Sequence, residues 1–341
     1  MNRIIVTRFS AMGDVAMTAS VIREFVEQNK NIEIIMVSRG HFADFFKNIP
    51  RVQFLEIRPK TTHKGLFGLY RLSRELLRYK PSALVDLHNN LRSRFISLFF
   101  KLSNHPVSTL NKRRKEKKSF INGKTSKLLK LPLVTEAYAD AFRNLGYTLV
   151  LSHQLYKKSN PIPENLKDLF SKGRTFIGIA PFAQHVYKVF PENKMEEVIA
   201  QLHKKGHTIL LFGGGKEEKQ KTEAWSEKYS NTISTIGKYS LSEELDIIAN
   251  LDVMISMDSS GMHMASLVGT KCVSIWGATH PNLGFLGYGQ SLENCVQVEH
   301  TSRPSSIYGN KPCDCDGVEA IDLVSPEMVV EKVAEVLLKN K

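Results

Sequence analysis

An apolar run from Val253 to Met257 stops at Asp258-Ser259-Ser260-Gly261. It resumes as an apolar-periodic segment from Met262 to Val268 and is followed by a second apolar run, Cys272 to Trp276. Runs of this length bounded by polar turns read as two strands with a short helix between them. A strand whose carboxyl end opens a helix aims unpaired backbone N–H groups and the positive end of the helix dipole at the turn. The turn therefore either holds an anion such as a phosphate or is capped by its own Asp258 or Ser259.

The same device opens the chain. Arg3 to Thr7 reads as a strand, Arg8 to Asp14 as a turn and Val15 to Phe25 as a helix with apolar Val15, Ala19, Ile22 and Phe25 on one side. Gly13 is expected to lend the turn conformational freedom, and Asp14 stands at the helix start, where a carboxylate suits the dipole or serves as a cap. Strands at Glu33–Val37, Gln53–Ile57 and Ala83–Leu87 follow, with a short helix at His41–Lys47 and an amphipathic one at Leu66–Tyr79 that carries Arg71, Arg74 and Arg78. The nearly all-apolar Ala83–Leu87 ends in Asp86-Leu87-His88-Asn89-Asn90, a polar cluster where open α/β sheets place ligands. Asp86 and His88, with Arg92 on the next helix, are candidates for the acceptor side of a site. So are Lys112, Arg113 and Arg114 in the basic block Lys112–Lys118, which reads first as a solvated loop and second as a phosphate or membrane contact.

A helix at Glu136–Leu145 precedes Ser159-Asn160-Pro161-Ile162-Pro163, whose chemistry is that of a linker. Strand and helix signals then alternate again: strands at Thr175–Ala180, Thr208–Phe212 and Thr232–Ile236, helices at Glu192–Lys204, Lys216–Tyr229 and Leu241–Ala249, and a last helix at Pro326–Lys339. Gln184, His185 and Lys188 occupy the loop after the first of these strands. Gly213-Gly214-Gly215 follows the second, at a spacing that matches neither the dinucleotide fingerprint nor a P-loop. Two successive runs of this kind predict two doubly wound α/β domains, residues 1–160 and 161–341. A site is expected in the cleft they face, with Asp14 and Asp86 on one side and Lys188, the glycines and Asp258–His263 on the other.

Composition narrows the partners. The chain carries 47 Lys and Arg against 34 Asp and Glu, a formal +13, which points to an anion: a phosphorylated substrate, an acidic membrane surface or nucleic acid. Nucleic acid is disfavoured because interleaved aromatics and recognised motifs are missing. A dehydrogenase is disfavoured by the lack of G-x-G-x-x-G after the first strand. No apolar run reaches membrane-span length and Asp14 interrupts any signal-peptide core, so a cytoplasmic location is expected. The four cysteines are too few for a disulfide framework, and Cys313-Asp314-Cys315 lacks the second pair of a metal site, so a solvated turn is expected there and no metal.

Arg8-Phe9-Ser10-Ala11-Met12-Gly13-Asp14-Val15, Lys188-Val189-Phe190-Pro191 and Asp258-Ser259-Ser260-Gly261-Met262-His263 together closely resemble the heptosyltransferase family of lipopolysaccharide core synthesis, glycosyltransferase family 9. The resemblance implies a GT-B fold of two Rossmann-like domains, with the last helix, about 326–340, crossing back towards the first. It also implies inverting transfer from a nucleotide sugar, typically ADP-heptose, to a phosphorylated glycolipid acceptor at the inner face of the membrane. By the same resemblance Asp14 is the catalytic base, and Ser10 and Gly13 shape its loop. Lys188 neutralises the donor diphosphate, while Asp258, Ser259, Ser260, Gly261 and His263 form the donor turn and Glu217 lies near the donor's ribose. The ADP-sugar is then a substrate and no cofactor is obligatory. Ser259-Ser260 stands where Thr-Gly is common, Phe190 where Trp is common, and Asp86–Asn89 differs from Asp-x-Gln-Gly. These departures bear on the identity of sugar and acceptor and keep a GT-B transferase for another nucleotide sugar as the alternative.

Overall fold

In the computed structural model, which describes residues 2–123, 129–157, 160–170 and 174–339, the chain forms two compact units. The first comprises Met1–Arg113 and Pro132–Ser152, the second Arg114–Leu131 and His153–Lys341.

The first unit contains β1 (Asn2–Thr7), α1 (Met12–Gln28), β2 (Ile32–Ser38), β3 (Val52–Glu56), α2 (Gly65–Leu77), β4 (Ala83–Asp86), α3 (Leu91–Leu102) and β5 (Val107–Thr109). Arg114–Ile121 forms α4, which belongs to the second unit, and Val134–Arg143 forms α5 of the first. The five strands are parallel in the order β3-β2-β1-β4-β5. Successive strands are added on one side of β1 up to β3 and on the other side from β4, which makes the carboxyl ends of β1 and β4 the switch point where such sheets bind ligands. Ile5, Ile35, Val37 and Leu84 of the sheet pack with Leu69, Leu72 and Leu76 of α2 and Ile96 and Phe100 of α3. Phe25 of α1 stacks on Phe142 of α5 at 4.3 Å. Each such buried side chain contributes about 1.5–3 kcal/mol. The short helix expected at His41–Lys47 is a 3₁₀ helix over Gly40–Phe45.

The second unit adds α6 (Lys167–Phe170), β6 (Phe176–Ala180), α7 (Glu192–Lys204), β7 (Thr208–Leu211), α8 (Lys216–Lys228), β8 (Thr232–Ser234) and α9 (Leu241–Ala249). It continues with β9 (Val253–Met257), α10 (Ser260–Val268), β10 (Cys272–Ile275), β11 (Cys295–Val296), the hairpin β12 (Asp314–Cys315) and β13 (Val318–Glu319), and α11 (Pro326–Leu338). Its six-stranded parallel sheet runs β11-β10-β9-β6-β7-β8, so its switch point lies between β6 and β9.

Two expectations are corrected. The basic block is not a solvated loop from end to end: Arg114 onward is helical, Phe120 is fully buried, and Lys117 is buried with its ammonium 3.9 Å from the Phe285 ring centroid. A long lysine stem covers apolar surface well, and a charge run conceals that use of it. The Cys313–Cys315 turn is a hairpin whose two thiols are buried with Ala278 and Ala320. The last helix buries Val329, Val330, Val333 and Val336 in the second unit's core.

The linker also docks within the second unit. Asn160 donates to Asp246 of α9 and accepts from Asn250, while Ser159 lies outside the described residues. Chain up to Ser152 stays with the first unit through Glu24 and Gln28 of α1. Among the described residues no helix is long and apolar enough to cross a membrane.

Candidate functional site

At the switch point of the first unit, β1 delivers Arg8 and the start of α1 delivers Asp14. Asp14 is the third residue of the helix, and its Oδ2 accepts the Ala11 N–H at 3.4 Å, half of a capping box that alanine cannot complete. The same oxygen pairs with Arg8 Nη2, and Oδ1 accepts the Tyr138 hydroxyl of α5 at 3.0 Å. Arg8 is 7% exposed, donates through Nη1 to the Leu87 carbonyl at 2.6 Å and lies 5.7 Å from the Tyr138 ring centroid. Burial pulls the Arg8 pKa down, but Tyr138 and Asp14 outweigh it and the net shift is upward. The guanidinium therefore stays charged and fixed, while the Asp14 side chain remains 28% exposed. A carboxylate held at both oxygens and still reached by solvent can accept a proton from a positioned hydroxyl.

His88, at the carboxyl end of β4, stands beside this pair. Its Nδ1 accepts the Phe9 N–H at 3.4 Å, which assigns the ring proton to Nε2. Burial, then Arg8 and Lys112, push its pKa down to about 3, so the ring is a neutral donor at physiological pH. Asp86 has a different role from the one its position suggested. It is fully buried; Oδ1 accepts from Thr7 Oγ1 and from the His88 and Asn89 amides, and Oδ2 accepts from Ser93 and Ser97 hydroxyls. So occupied, it organises the loop that carries His88 rather than contacting a ligand.

The cationic candidates separate. Lys112 Nζ donates to the Asn89 carbonyl at 3.1 Å and stays near His88, whereas Arg113 pairs with Asp140 at 3.0 Å. Arg92 is exposed on α3, and Arg114 is exposed at the start of α4 in the second unit. Ser10 is half-buried in the loop before α1. Gly13 is an ordinary helical residue of α1, so conformational freedom is not its use.

At the switch point of the second unit, the loop after β6 delivers Lys188 and the end of β9 delivers Asp258. Lys188 Nζ lies 2.7 Å from Asp258 Oδ2 and donates to the Asp258 carbonyl at 3.0 Å; Thr279 Oγ1 donates to Oδ2 at 2.9 Å. The Asp258 side chain is 4% exposed and the Lys188 side chain 15%. Asp258 thus holds the lysine in place and presents its charge. Ser259 is the N-cap of α10 but makes no side-chain cap; its hydroxyl lies 3.2 Å from Ser256 Oγ, which leaves the first-turn N–H groups from Ser260 onward without a side-chain cap. Gly261 has no room for a side chain, because a Cβ would lie 2.6 Å from Ala180 Cβ, so it sets how closely α10 approaches the sheet. His263 is buried within α10. An arrangement of this kind, one cation beside a helix start without a side-chain cap, is suited to an anion.

Glu217 is exposed in the first turn of α8, and the next residue is the one that meets the glycines: Glu218 Oε2 accepts the Gly214 N–H at 2.7 Å. Gly215 needs its left-handed φ of 87° to start α8, and a Cβ on Gly213 would lie 2.7 Å from Glu218.

Sequence reasoning did not single out Arg8, Tyr138, Thr279 or Arg303. Arg303 is 1% exposed and donates to the Gly277, Trp276 and Thr279 carbonyls, fixing the loop that carries Thr279. Only Arg8 had a local signal, its place in the turn after the first strand.

Two Rossmann-like units with these two sites are the architecture of GT-B glycosyltransferases. The sequence profile described as glycosyltransferase family 9 (heptosyltransferase) matches residues 69–309, and the chain belongs to that family. It is therefore a glycosyltransferase. It is 25% identical to lipooligosaccharide heptosyltransferase 2 of Haemophilus influenzae, over 97% of this chain and 98% of that one. Among solved structures it resembles a family 9 glycosyltransferase from Veillonella parvula, with TM-score 0.72 and 17% identity over 99% of this chain and 98% of the other. It also resembles E. coli ADP-heptose lps heptosyltransferase II, with TM-score 0.69 and 18% identity over 99% of both chains. At these identities the two structures bear on the fold.

Proposed function

We propose that this enzyme transfers heptose from ADP-heptose to a lipopolysaccharide core acceptor with inversion at the anomeric carbon. Asp14 accepts the proton of the acceptor hydroxyl as its oxygen forms the new bond to the anomeric carbon. The bond from that carbon to the phosphate oxygen breaks with its electron pair, and ADP leaves. Lys188 and the first-turn N–H groups of α10 stabilise the departing diphosphate, so no metal is obligatory for this step. We assign the reaction to the cytoplasm. The relatives named above support the donor and acceptor classes.

The observation that carries the reading is the contrast between a partly exposed, doubly held carboxylate in one unit and a presented lysine at an uncapped helix start in the other. The direct test incubates the protein with ADP-heptose and heptose-deficient core glycolipid, with EDTA present. Gain of one heptose by mass spectrometry is expected. In parallel, ADP-heptose at about a hundredfold over its Kd should add ~2.7 kcal/mol of stability, and UDP-sugars none. Stabilisation by UDP-sugars alone would replace the donor assignment with the GT-B alternative.

A further inference from the structure

The first unit carries an apolar surface that its own fold leaves uncovered. On α2, Leu66 is 69% exposed, Phe67 82% and Tyr70 42%; on the neighbouring α3, Leu91 is 86%, Leu98 55% and Leu102 78% exposed. The two helices cover the same face of the sheet and touch through Tyr70 and Phe99, whose rings meet edge-on at 5.2 Å. Helical spacing gathers the exposed residues into stripes. Phe67, Tyr70, Arg71, Arg74 and Arg78 fall at i, i+3, i+4, i+7 and i+11 along α2, and Leu91, Arg94, Leu98 and Leu102 fall at i, i+3, i+7 and i+11 along α3. Single exposed leucines need no explanation, but six large apolar side chains on two adjoining helices do.

Charge names the occupant. Residues 57–102 contain ten Lys and Arg against two acids, Glu75 and the buried Asp86, so most of the chain's +13 resides here. Two copies of this chain packed face to face through the patch would oppose like charges, which disfavours self-association. Aliphatic Leu91, Leu98 and Leu102 offer no stacking platform for bases, which disfavours nucleic acid. Apolar side chains beside guanidinium and ammonium groups match one environment, the headgroup and upper acyl region of an anionic bilayer. We propose that α2 and α3 form the membrane-docking surface of this protein, with Phe67, Leu91, Leu98 and Leu102 entering the acyl boundary while Arg71, Arg74, Arg94 and Lys101 engage anionic headgroups. This moves the membrane contact away from the Lys112–Lys118 block, where Arg113 is paired and Lys117 is buried.

The surface stands independently of the donor and acceptor assignments, and its test uses vesicles that contain no glycolipid acceptor. The full chain is sedimented with vesicles of phosphatidylcholine alone and of phosphatidylcholine with phosphatidylglycerol. Binding to the second and not the first is expected, weakening as salt is raised. Phe67→Ser with Leu91→Ser should weaken binding by about tenfold or more, since both lose apolar insertion. Arg71→Glu with Arg74→Glu should weaken it similarly for vesicles with phosphatidylglycerol, and Val318→Ser, at an exposed apolar residue on β13, should change nothing. Unchanged thermal unfolding of the variants establishes that they fold. Failure of the wild-type chain to bind, or equal binding by all variants, overturns the proposal. So does a concentration-dependent dimer that the Phe67 and Leu91 substitutions abolish, because the patch would then be a self-association face.

Discussion

Asp14 and Asp258 occupy equivalent places in two similar units, each after a strand that borders a switch point and each gripped by a cation and a hydroxyl. The grip is inverted between them. In the first unit the cation is the buried partner, with Arg8 side-chain exposure of 8% against 28% for Asp14. In the second the carboxylate is buried, at 4% against 15% for Lys188. One pair therefore presents an anion and the other a cation. The same local device, a charge pair at a helix start, suits proton acceptance in one unit and phosphate binding in the other under the function proposed above, according to which member the surrounding residues bury.

Replacing Asp14 by Asn should break the comparison on its first side with the largest effect. Turnover is expected to fall by about 10²–10⁴-fold, the range for loss of general-base assistance, while ADP affinity measured by calorimetry stays within error. Equal loss of ADP affinity would contradict the division of roles. On the second side, Lys188→Met should weaken ADP binding by about tenfold or more, because the removed cation faces the anion. Asp258→Asn should cost fold stability as well, by about 3 kcal/mol in denaturant titration, since it breaks a largely buried pair. A stability loss from Asp14→Asn as large as that from Asp258→Asn would show that the inversion of burial has no energetic meaning.

The roles of the hydroxyls should be smaller. Tyr138→Phe removes one hydrogen bond to a carboxylate that Arg8 still holds, and kcat is expected to fall by about tenfold, with ADP affinity and unfolding midpoint little changed. A loss of ADP affinity instead of kcat would mean that Tyr138 acts on the fold rather than on Asp14.

How much of this the sequence shows follows from the range of the interactions. Asp14, Lys188 and Asp258 are legible because strand, turn and helix succeed one another within about ten residues and the chemistry is local. Tyr138 meets Asp14 from 124 residues away, and Thr279 meets Asp258 only once β9 and β10 are paired, so neither carries a local signal. Asp86 illustrates the opposite error. A polar residue at a strand's end looks like a ligand until Thr7, Ser93 and Ser97 are folded around it and occupy both oxygens. The Lys112–Lys118 block misleads through composition, because charges mask the burial of Lys117 and Phe120. Glu217 and Glu218 differ by one residue and so by about 100° around α8, which sequence register alone does not settle.

Glu244 on α9 supplies the control that the comparison needs, a carboxylate shifted by burial with no cation to offset it. Burial alone raises its pKa from 4.5 to about 7. For an acid raised in the folded state, the native protein keeps a proton that the unfolded chain has released, so stability is lost as pH rises from about 4.5 through 7 and the full penalty applies above that window. Glu244→Gln removes this titration. Its stability should match the wild type near pH 4 and exceed it at pH 8, with a ceiling of about 3 kcal/mol from the shift that solvent screening reduces to ~1 kcal/mol. Urea unfolding of both proteins at the two pH values measures it. A difference that is flat with pH would mean that some group compensates the buried charge, and that burying a carboxylate in this unit does not by itself require the lysine that Asp258 has.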